Sequence, residues 1–201
     1  MAPRDGRCKV NMKDISLIGF MGCGKSSVGK ILATLIPECR LIDLDTYIEE
    51  KQGKNIPEIF NEYGEAAFRR MEREALEEIF SDKSRPRAIL SLGGGTVTSE
   101  ECRQLIRQHT DCFYLRATTD TLLDNLEGHS DGRPMLNPTQ PVEAQSTETS
   151  SEREALRRRI ESLMQTRSPQ YLATAHHIID IDGLSFAQIA EAVEDNILNI
   201  K

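Results

Sequence analysis

Residues 19–26, GFMGCGKS, fit the pattern G-x-x-x-x-G-K-[ST], in which the residue types and their spacing suit the binding of a phosphate chain. The glycines let consecutive backbone N–H groups turn inward around the phosphates, Lys25 reaches the β- and γ-phosphates, and the Ser26 hydroxyl can ligate Mg²⁺. An ordinary glycine turn is the alternative. The apolar run at residues 15–18 and the helix-like residues 27–33 supply the strand and helix that such a loop requires, which favours nucleotide binding.

Two carboxylates, Asp43 and Asp45, follow the next apolar run. The carboxyl ends of parallel strands are where ligands bind in open α/β sheets. If both residues extend the strand, their side chains point to the same side and face the cleft above the phosphate loop. One carboxylate can then hold Mg²⁺, and the other can accept a hydrogen bond from a substrate hydroxyl. The alternative is that Asp45 only caps a helix that starts near Thr46.

Two further segments carry groups suited to ligand binding. Arg69 and Glu72 can pair at i, i+3, although such a pair would by itself indicate a solvated helix face. Three glycines, residues 93–95, end the third apolar run. They let a ligand approach the sheet edge closely, but a tight turn between strand and helix would use glycines too.

The elements that must position these groups alternate along the chain, with short β-rich runs between longer amphipathic segments. This alternation predicts a three-layer α/β domain, with a five-stranded parallel sheet flanked by helices. The predicted strands are residues 16–18, 39–43, 88–91, 112–116 and 177–181. The predicted helices are residues 25–35, 46–51, 56–62, 64–80, 99–108, 119–126, 150–165 and 185–200.

One long polar segment, residues 128–151, interrupts the alternation and predicts a loop. Phosphoryl transfer to an alcohol must exclude water, so residues 128–136 are predicted to form a mobile lid over the active site. For residues 137–150 a disordered linker is the alternative, because the segment has few apolar side chains.

Composition limits the class of protein. The 201 residues suffice for one domain, predicted at residues 12–201, after a disordered extension at residues 1–11. The net charge of −7 argues against nucleic acid or an anionic membrane as a partner. Five cysteines without paired C-x-x-C spacing favour reduced thiols, and no apolar run is long enough to span a membrane, so we expect a cytoplasmic protein.

In combination, these residues resemble the shikimate kinases, a family of small P-loop kinases related in fold to the nucleoside monophosphate kinases. The resemblance runs from about residue 15 to residue 200 and depends on the order and spacing of several motifs. Those motifs are GFMGCGKS at 19–26, IDLD at 42–45, GE at 64–65 followed by Phe68, Arg69 and Glu72, GGG at 93–95, RPML at 133–136 and RSPQY at 167–171.

The resemblance implies ATP-dependent phosphorylation of the 3-hydroxyl of shikimate, giving shikimate 3-phosphate and ADP for aromatic amino-acid biosynthesis. It implies that Asp45 holds ring hydroxyls, that Arg69 and Arg167 grip the carboxylate, and that Gly94 offers its backbone N–H. Arginine suits this role because its planar fork meets a carboxylate with two parallel hydrogen bonds.

The same resemblance implies an ATP site with Mg²⁺ as cofactor, in which Ser26 is a direct metal ligand and Asp43 lies near the metal. The residues implied to contact ATP are Gly22, Cys23, Gly24, Lys25, Ser26, Ser27 and Arg133. The catalytic residues implied are Lys25, Asp45 and Arg133, the last being the lid arginine that closes over the transferring phosphoryl group. The family is commonly monomeric, so we expect a monomer.

One departure from the family pattern concerns the base of the nucleotide. Many members carry an arginine that stacks on adenine about two turns before the lid's Arg-Pro pair, but residues 124–127 here contain none. Two rival functions are a kinase for another small polyol, such as gluconate, and a nucleotide-binding regulatory module without catalysis. The paired arginines and the triple glycine argue against the first, and the retained Lys25 and Asp45 argue against the second.

Overall fold

A computed structural model describes residues 13–126 and 148–199 of the chain. The predicted extension at residues 1–11, the lid residues 128–147 and Arg133 lie outside the described residues. The described part contains five strands, which form one parallel sheet in the order β2-β3-β1-β4-β5. The strands are β1 (Asp14–Ile18), β2 (Arg40–Asp43), β3 (Ala88–Ser91), β4 (Thr110–Arg116) and β5 (His177–Asp180).

Helices connect the strands and cover both faces of the sheet. They are α1 (Lys25–Leu35), α2 (Leu44–Gln52), α3 (Ile56–Ser81), α4 (Glu100–His109), α5 (Thr119–Leu126), α6 (Glu148–Thr174) and α7 (Phe186–Asn199), with a short 3₁₀ helix at Thr96–Thr98. Within the described residues, no helix is both long enough and apolar enough to cross a bilayer.

The hydrophobic core lies in two layers, because side chains alternate across each buried strand. In β1 and β4, Leu17 and Phe113 pack on one face with the residues of α1, α5 and α7. Ile18 and Tyr114 pack on the opposite face with those of α2, α3 and α4. Burial of both faces is typical of an all-parallel sheet, and the predicted three-layer α/β fold is confirmed.

Most predicted helix bounds shift by one or two residues at an end, and two helices differ in a further way. Residues 56–62 and 64–80 are continuous as α3, although the non-helical Gly64, at φ 75°, forms a kink where the sequence predicts the break. Helix α6 continues nine residues past its predicted end at 165 and contains Pro169. Proline removes a backbone hydrogen bond from a helix, but the last turns of α6 bury Arg167 and Tyr171 against the rest of the domain, and this packing outweighs the local preference.

Candidate active site

The phosphate loop leaves the end of β1 and enters α1 at Lys25. Gly22 and Gly24 have φ values of 83° and 87°, which side chains with a Cβ rarely adopt. Space also requires glycine, since a Cβ on Gly24 would lie 2.5 Å from Cε1 of Phe186. The sequence therefore forms a bare loop at the positive N-terminal end of a helix, which is a suitable site for an anion.

Lys25 and Ser26 lie on a cavity of about 410 Å³ that adjoins this loop. The Lys25 Nζ donates to the carbonyl oxygens of Gly19 and Phe20, each at 2.9 Å, so the ammonium group lies across the loop. The Ser26 Oγ donates to Asp43 Oδ2 at 2.6 Å and lies 3.1 Å from the hydroxyl oxygen of Ser91. A hydroxyl and a carboxylate held this close fit Mg²⁺, which prefers oxygen ligands.

Asp43 and Asp45 both face this cavity, but not for the reason expected from the sequence. Strand β2 ends at Asp43, whose Oδ1 accepts a hydrogen bond from the Thr46 backbone N–H and caps α2. Asp45 lies in the first turn of that helix. The prediction that strand alternation aligns the two carboxylates is wrong, and so is the alternative in which Asp45 is the cap.

A second cavity, of about 300 Å³, adjoins the first and shares four residues with it: Met21, Asp45, Gly93 and Gly94. Its other walls are Glu49, Ile56, Pro57, Phe60, Phe68, Arg69, Glu72, Gly95 and Arg167. Aromatic and aliphatic side chains thus surround a few charged groups, as is common in sites for small organic molecules. Asp45 borders both cavities and can contact a ligand in either.

Arg69 and Arg167 bring two guanidinium groups to the second cavity. Arg69 donates from Nη1 to Glu72 at 2.6 Å and from Nη2 to Glu65 at 3.0 Å. Arg167 is 3% exposed and lies over the ring of Phe20. The Arg69 Nε and the Arg167 Nη1 are buried without a hydrogen-bond partner among the described residues. Buried donors normally have partners, so this pair is suited to a ligand that supplies acceptors, such as a carboxylate.

Glu72 is fully buried, which sequence reasoning did not predict. It accepts hydrogen bonds from Arg69 and from the hydroxyl of Thr96, and burial raises the pKa of its carboxyl. The alternative of a solvated helix face is therefore wrong for Glu72, because this side of α3 packs against the loop after β3. The sequence contained a signal, since Glu72 lies one helical turn from the apolar Phe68 and Leu76, on the face that enters the core.

The three glycines after β3 do more than form a turn, because charged side chains lie close against their backbone. A Cβ on Gly95 would lie 2.3 Å from Nη2 of Arg69, and a Cβ on Gly93 would lie 3.0 Å from Oδ1 of Asp45. The carbonyl oxygen of Gly94 accepts a hydrogen bond from the hydroxyl of Tyr171. Larger residues here would displace the charged side chains that line the second cavity.

The surroundings of Asp45 raise the pKa of its carboxyl group. Burial raises the pKa of this carboxyl to about 6, with further contributions from the carboxylates of Glu72 and Asp43, while Lys25 acts in the opposite direction. A carboxylate with a pKa near the operating pH is well placed to accept a proton from a hydroxyl. Asp45 can therefore act as a general base at the boundary between the two cavities.

A family model described as shikimate kinase matches residues 21–197 of the chain. The chain belongs to the shikimate kinase family. The shikimate kinase of Thermus thermophilus is 34% identical over 183 residues, covering 91% of this chain and 89% of that protein. That of Thermodesulfovibrio yellowstonii is 35% identical over 182 residues, covering 90% and 93%.

Solved shikimate kinases have the same fold. The structure of the Acinetobacter baumannii enzyme in complex with shikimate has a TM-score of 0.78 and 29% identity, covering 94% of this chain and 95% of that one. The Bacteroides thetaiotaomicron enzyme has a TM-score of 0.77 and 28% identity, covering 93% and 99%. The predicted P-loop kinase fold is confirmed.

The site residues named from the sequence lie around the two cavities, except Cys23 and Arg133. Those on the first cavity are Gly22, Gly24, Lys25, Ser26, Ser27 and Asp43; those on the second are Arg69 and Arg167; Asp45 and Gly94 lie on both. Cys23 is fully buried behind the loop, with its Sγ 3.7 Å from the Lys25 Nζ, so only its backbone is available to a phosphate. Arg133 lies outside the described residues.

Sequence reasoning missed several lining residues. Met21 and Phe60 line the second cavity, and Ser91, Asn125 and Phe186 line the first. Their types are common in cores and loops, so nothing in the local sequence distinguishes them. Only Met21 could have been expected at the site, because it lies inside the phosphate-loop pattern.

Proposed function

We propose that the chain transfers the γ-phosphoryl group of ATP to the 3-hydroxyl of shikimate, giving shikimate 3-phosphate and ADP in aromatic amino-acid biosynthesis. The observation that carries this proposal is the pair of adjoining cavities. One is bounded by a phosphate loop, and the other contains two buried guanidinium groups with unused donors. Asp45 lies where they meet, so a hydroxyl beside it faces the end of a bound phosphate chain.

Substrate orientation follows from the charges of the second cavity. Arg69 and Arg167 bind the shikimate carboxylate, and Glu72 holds Arg69 in place with a hydrogen bond of 2.6 Å. Gly94 contributes its backbone N–H. With the carboxylate fixed at one end, the ring hydroxyls reach Asp45 at the other, and such positioning supplies a large part of the rate enhancement.

The transfer step depends mainly on electrostatics and positioning. Lys25 exchanges its carbonyl partners for phosphate oxygens, and the loop amides surround the phosphate chain. Asp45 orients the attacking hydroxyl and accepts its proton. Mg²⁺, held by Ser26 and Asp43, supplies positive charge to the phosphates when it is bound. Arg133 is proposed, from the family pattern alone, to neutralise charge on the transferring group.

We also propose a cytoplasmic monomer whose ligands are small molecules rather than nucleic acid or a membrane, which the net charge of −7 supports. Residues 12–201 would form one domain, with an extension at 1–11 and a lid at about 128–151. Sedimentation velocity tests the monomer, which predicts one species close to the chain mass of 22.6 kDa.

A coupled assay of ADP release with MgATP tests the function. Shikimate should stimulate release strongly, while gluconate should not. The methyl ester of shikimate is the matched control for the carboxylate site, since it keeps every hydroxyl but loses the negative charge, and we expect it to be a poor substrate. Equal stimulation by gluconate, or no stimulation by shikimate, contradicts the proposal.

A further inference from the structure

Glu72 lies between two elements, and each of its carboxylate oxygens accepts a hydrogen bond from a different one. Its Oε2 accepts from Nη1 of Arg69, in the same helix, at 2.6 Å. Its Oε1 accepts from the hydroxyl of Thr96, in the 3₁₀ helix after β3. Glu72 and Thr96 are both fully buried, so solvent cannot replace this hydroxyl. The two hydrogen bonds together fix the plane of the carboxylate.

Thr96 is itself held by the backbone around it. Its N–H donates to the carbonyl oxygen of Gly93 at 3.1 Å, and its own carbonyl oxygen accepts from the N–H of Ser99 at 3.4 Å. The next residue, Val97, is fully buried. A Cβ on Gly93 would lie 3.1 Å from both the Thr96 hydroxyl oxygen and Glu72 Oε1, so the glycine leaves the space in which these two groups meet. Thr96 is therefore a fixed point at the edge of the sheet.

Arg69 depends on Glu72 for its direction, because its other partner is weak. That partner, Glu65, has a side chain that is 50% exposed, whereas the Glu72 side chain is not exposed at all. Exposed ion pairs contribute little to stability, so the buried carboxylate determines how the guanidinium lies. Nη1 and Nη2 serve these two carboxylates, and the Nε, buried without a partner among the described residues, remains for a ligand. Glu72 thus sets the direction in which this donor points.

The Thr96 hydroxyl keeps Glu72 in the state that holds Arg69. Burial raises the pKa of the Glu72 carboxyl, while the hydrogen bonds from Arg69 and Thr96 lower it. Without the hydroxyl, Oε1 would be a buried acceptor that has lost its donor, which is costly. The carboxyl group then turns or takes a proton, and either change weakens its hold on Arg69.

We propose that Thr96 is a positioning residue for the acceptor, because its hydroxyl fixes Glu72 and Glu72 in turn directs Arg69 at the carboxylate of the substrate. This role rests on the proposed function, since it requires a carboxylate in the second cavity. Thr96 does not line that cavity, so it acts only through the side chains that do. Its effect is therefore confined to the acceptor carboxylate, which is bound alike before and during transfer.

Kinetics of Thr96→Val with shikimate and MgATP test this role. Valine keeps the shape of threonine but has no hydroxyl. We expect KM for shikimate to rise about 5- to 10-fold, because a donor to a buried charge is lost. Contacts that are equal in the ground state and the transition state affect KM alone, so kcat and KM for ATP should stay within about twofold. Thr96→Ser keeps the donor and should restore KM for shikimate to within about twofold of the unmodified chain.

Thr110→Val is the control for loss of a buried hydroxyl. Thr110 is also fully buried, and its Oγ1 donates to the carbonyl oxygen of Ile106 at 2.7 Å. It begins β4, at the end of the sheet opposite the phosphate loop, so this variant should leave KM for shikimate unchanged.

A double-mutant cycle with Arg69→Gln tests whether the effect passes through Arg69. Glutamine keeps an N–H donor for Glu72 but lacks the guanidinium charge. If Thr96 acts through Arg69, adding Thr96→Val to Arg69→Gln should raise the calorimetric Kd for shikimate by less than about twofold. A further rise as large as that in the unmodified background contradicts this route.

An unchanged KM for shikimate in Thr96→Val would overturn the positioning role, and so would an equal rise in Thr96→Ser, since the hydroxyl would then not be the cause. A fall in kcat that matches the rise in KM would overturn it too, because Thr96 would then support the fold of the whole site. These outcomes apply to an unmodified chain that phosphorylates shikimate. If the unmodified chain neither binds nor phosphorylates shikimate, the proposed function fails, and the role of Thr96 fails with it.

Discussion

Replacement of Arg167 by methionine separates the function of this arginine from its effect on folding. The side chain is 3% exposed, and its Nη1 is buried without a hydrogen-bond partner among the described residues. Arg167→Met keeps a long apolar stem but removes the charge that is proposed to meet the shikimate carboxylate. Truncating one partner of a buried charge pair costs ~2–5 kcal/mol, which corresponds to a loss of about 30-fold or more in shikimate affinity.

The same change should stabilise the protein without ligands. Replacing an incompletely partnered buried charge with an apolar side chain can raise the free energy of unfolding, and ~1 kcal/mol is a conservative gain. For a chain of 201 residues that gain raises Tm by about 2–4 °C. Shikimate should then raise the Tm of the unmodified chain but not that of the variant, because only a ligand that binds the folded state stabilises it.

Calorimetry with shikimate and with ADP, together with thermal melts, checks both halves of this prediction. ADP affinity should not change. Arg158→Met is the matched control, since it removes an exposed arginine of α6 that pairs with Glu154 in the same helix. Shikimate affinity within twofold of the unmodified chain refutes the carboxylate role of Arg167. A Tm that falls by several degrees shows that its unpaired donor does not destabilise the folded protein.

Three further predictions concern catalysis and positioning. Lys25→Ala should keep its circular dichroism spectrum but lose about 100-fold or more in kcat, as expected for one removed charge-stabilising group, and near-normal kcat would exclude that role. Because the raised pKa of Asp45 is about 6, kcat/KM of the free enzyme should fall as pH drops through 6 and protonates the carboxylate; a flat profile from pH 5 to 8 contradicts its role as base. Tyr171→Phe removes the hydrogen bond to the Gly94 carbonyl, so KM for shikimate should rise about fivefold with little change in Tm, and an unchanged KM would show that this contact does not position the site.

Local patterns predicted much of the fold. Strand β3 and helices α1 and α5 have the predicted bounds, because apolar runs and helical periodicity reflect short-range chemistry. The phosphate loop was predictable for the same reason, since it depends on glycine spacing within eight residues. The sequence did not predict that Asp43 caps α2. Asp43 and Asp45 are equally suitable cap residues, and which of them caps the helix depends on where β2 ends.

Contacts between distant segments determine the rest of the site and could not be predicted from local patterns. Glu72 meets Thr96 from another element, and Tyr171 reaches Gly94 across 77 residues of sequence. Phe186 meets Gly24 of the phosphate loop, a contact between segments that lie far apart in the chain. In each case the contact depends on what a distant segment presents, which local sequence patterns do not reveal.

Asp45 is proposed to direct the phosphoryl group to a hydroxyl of shikimate rather than to water. Phosphorus NMR of the chain with MgATP and shikimate measures the product directly. We predict a phosphate monoester signal that is split into a doublet by the single hydrogen on carbon 3, and that increases in proportion to ADP. A growing singlet of inorganic phosphate, with no monoester, would contradict the proposed transfer to shikimate.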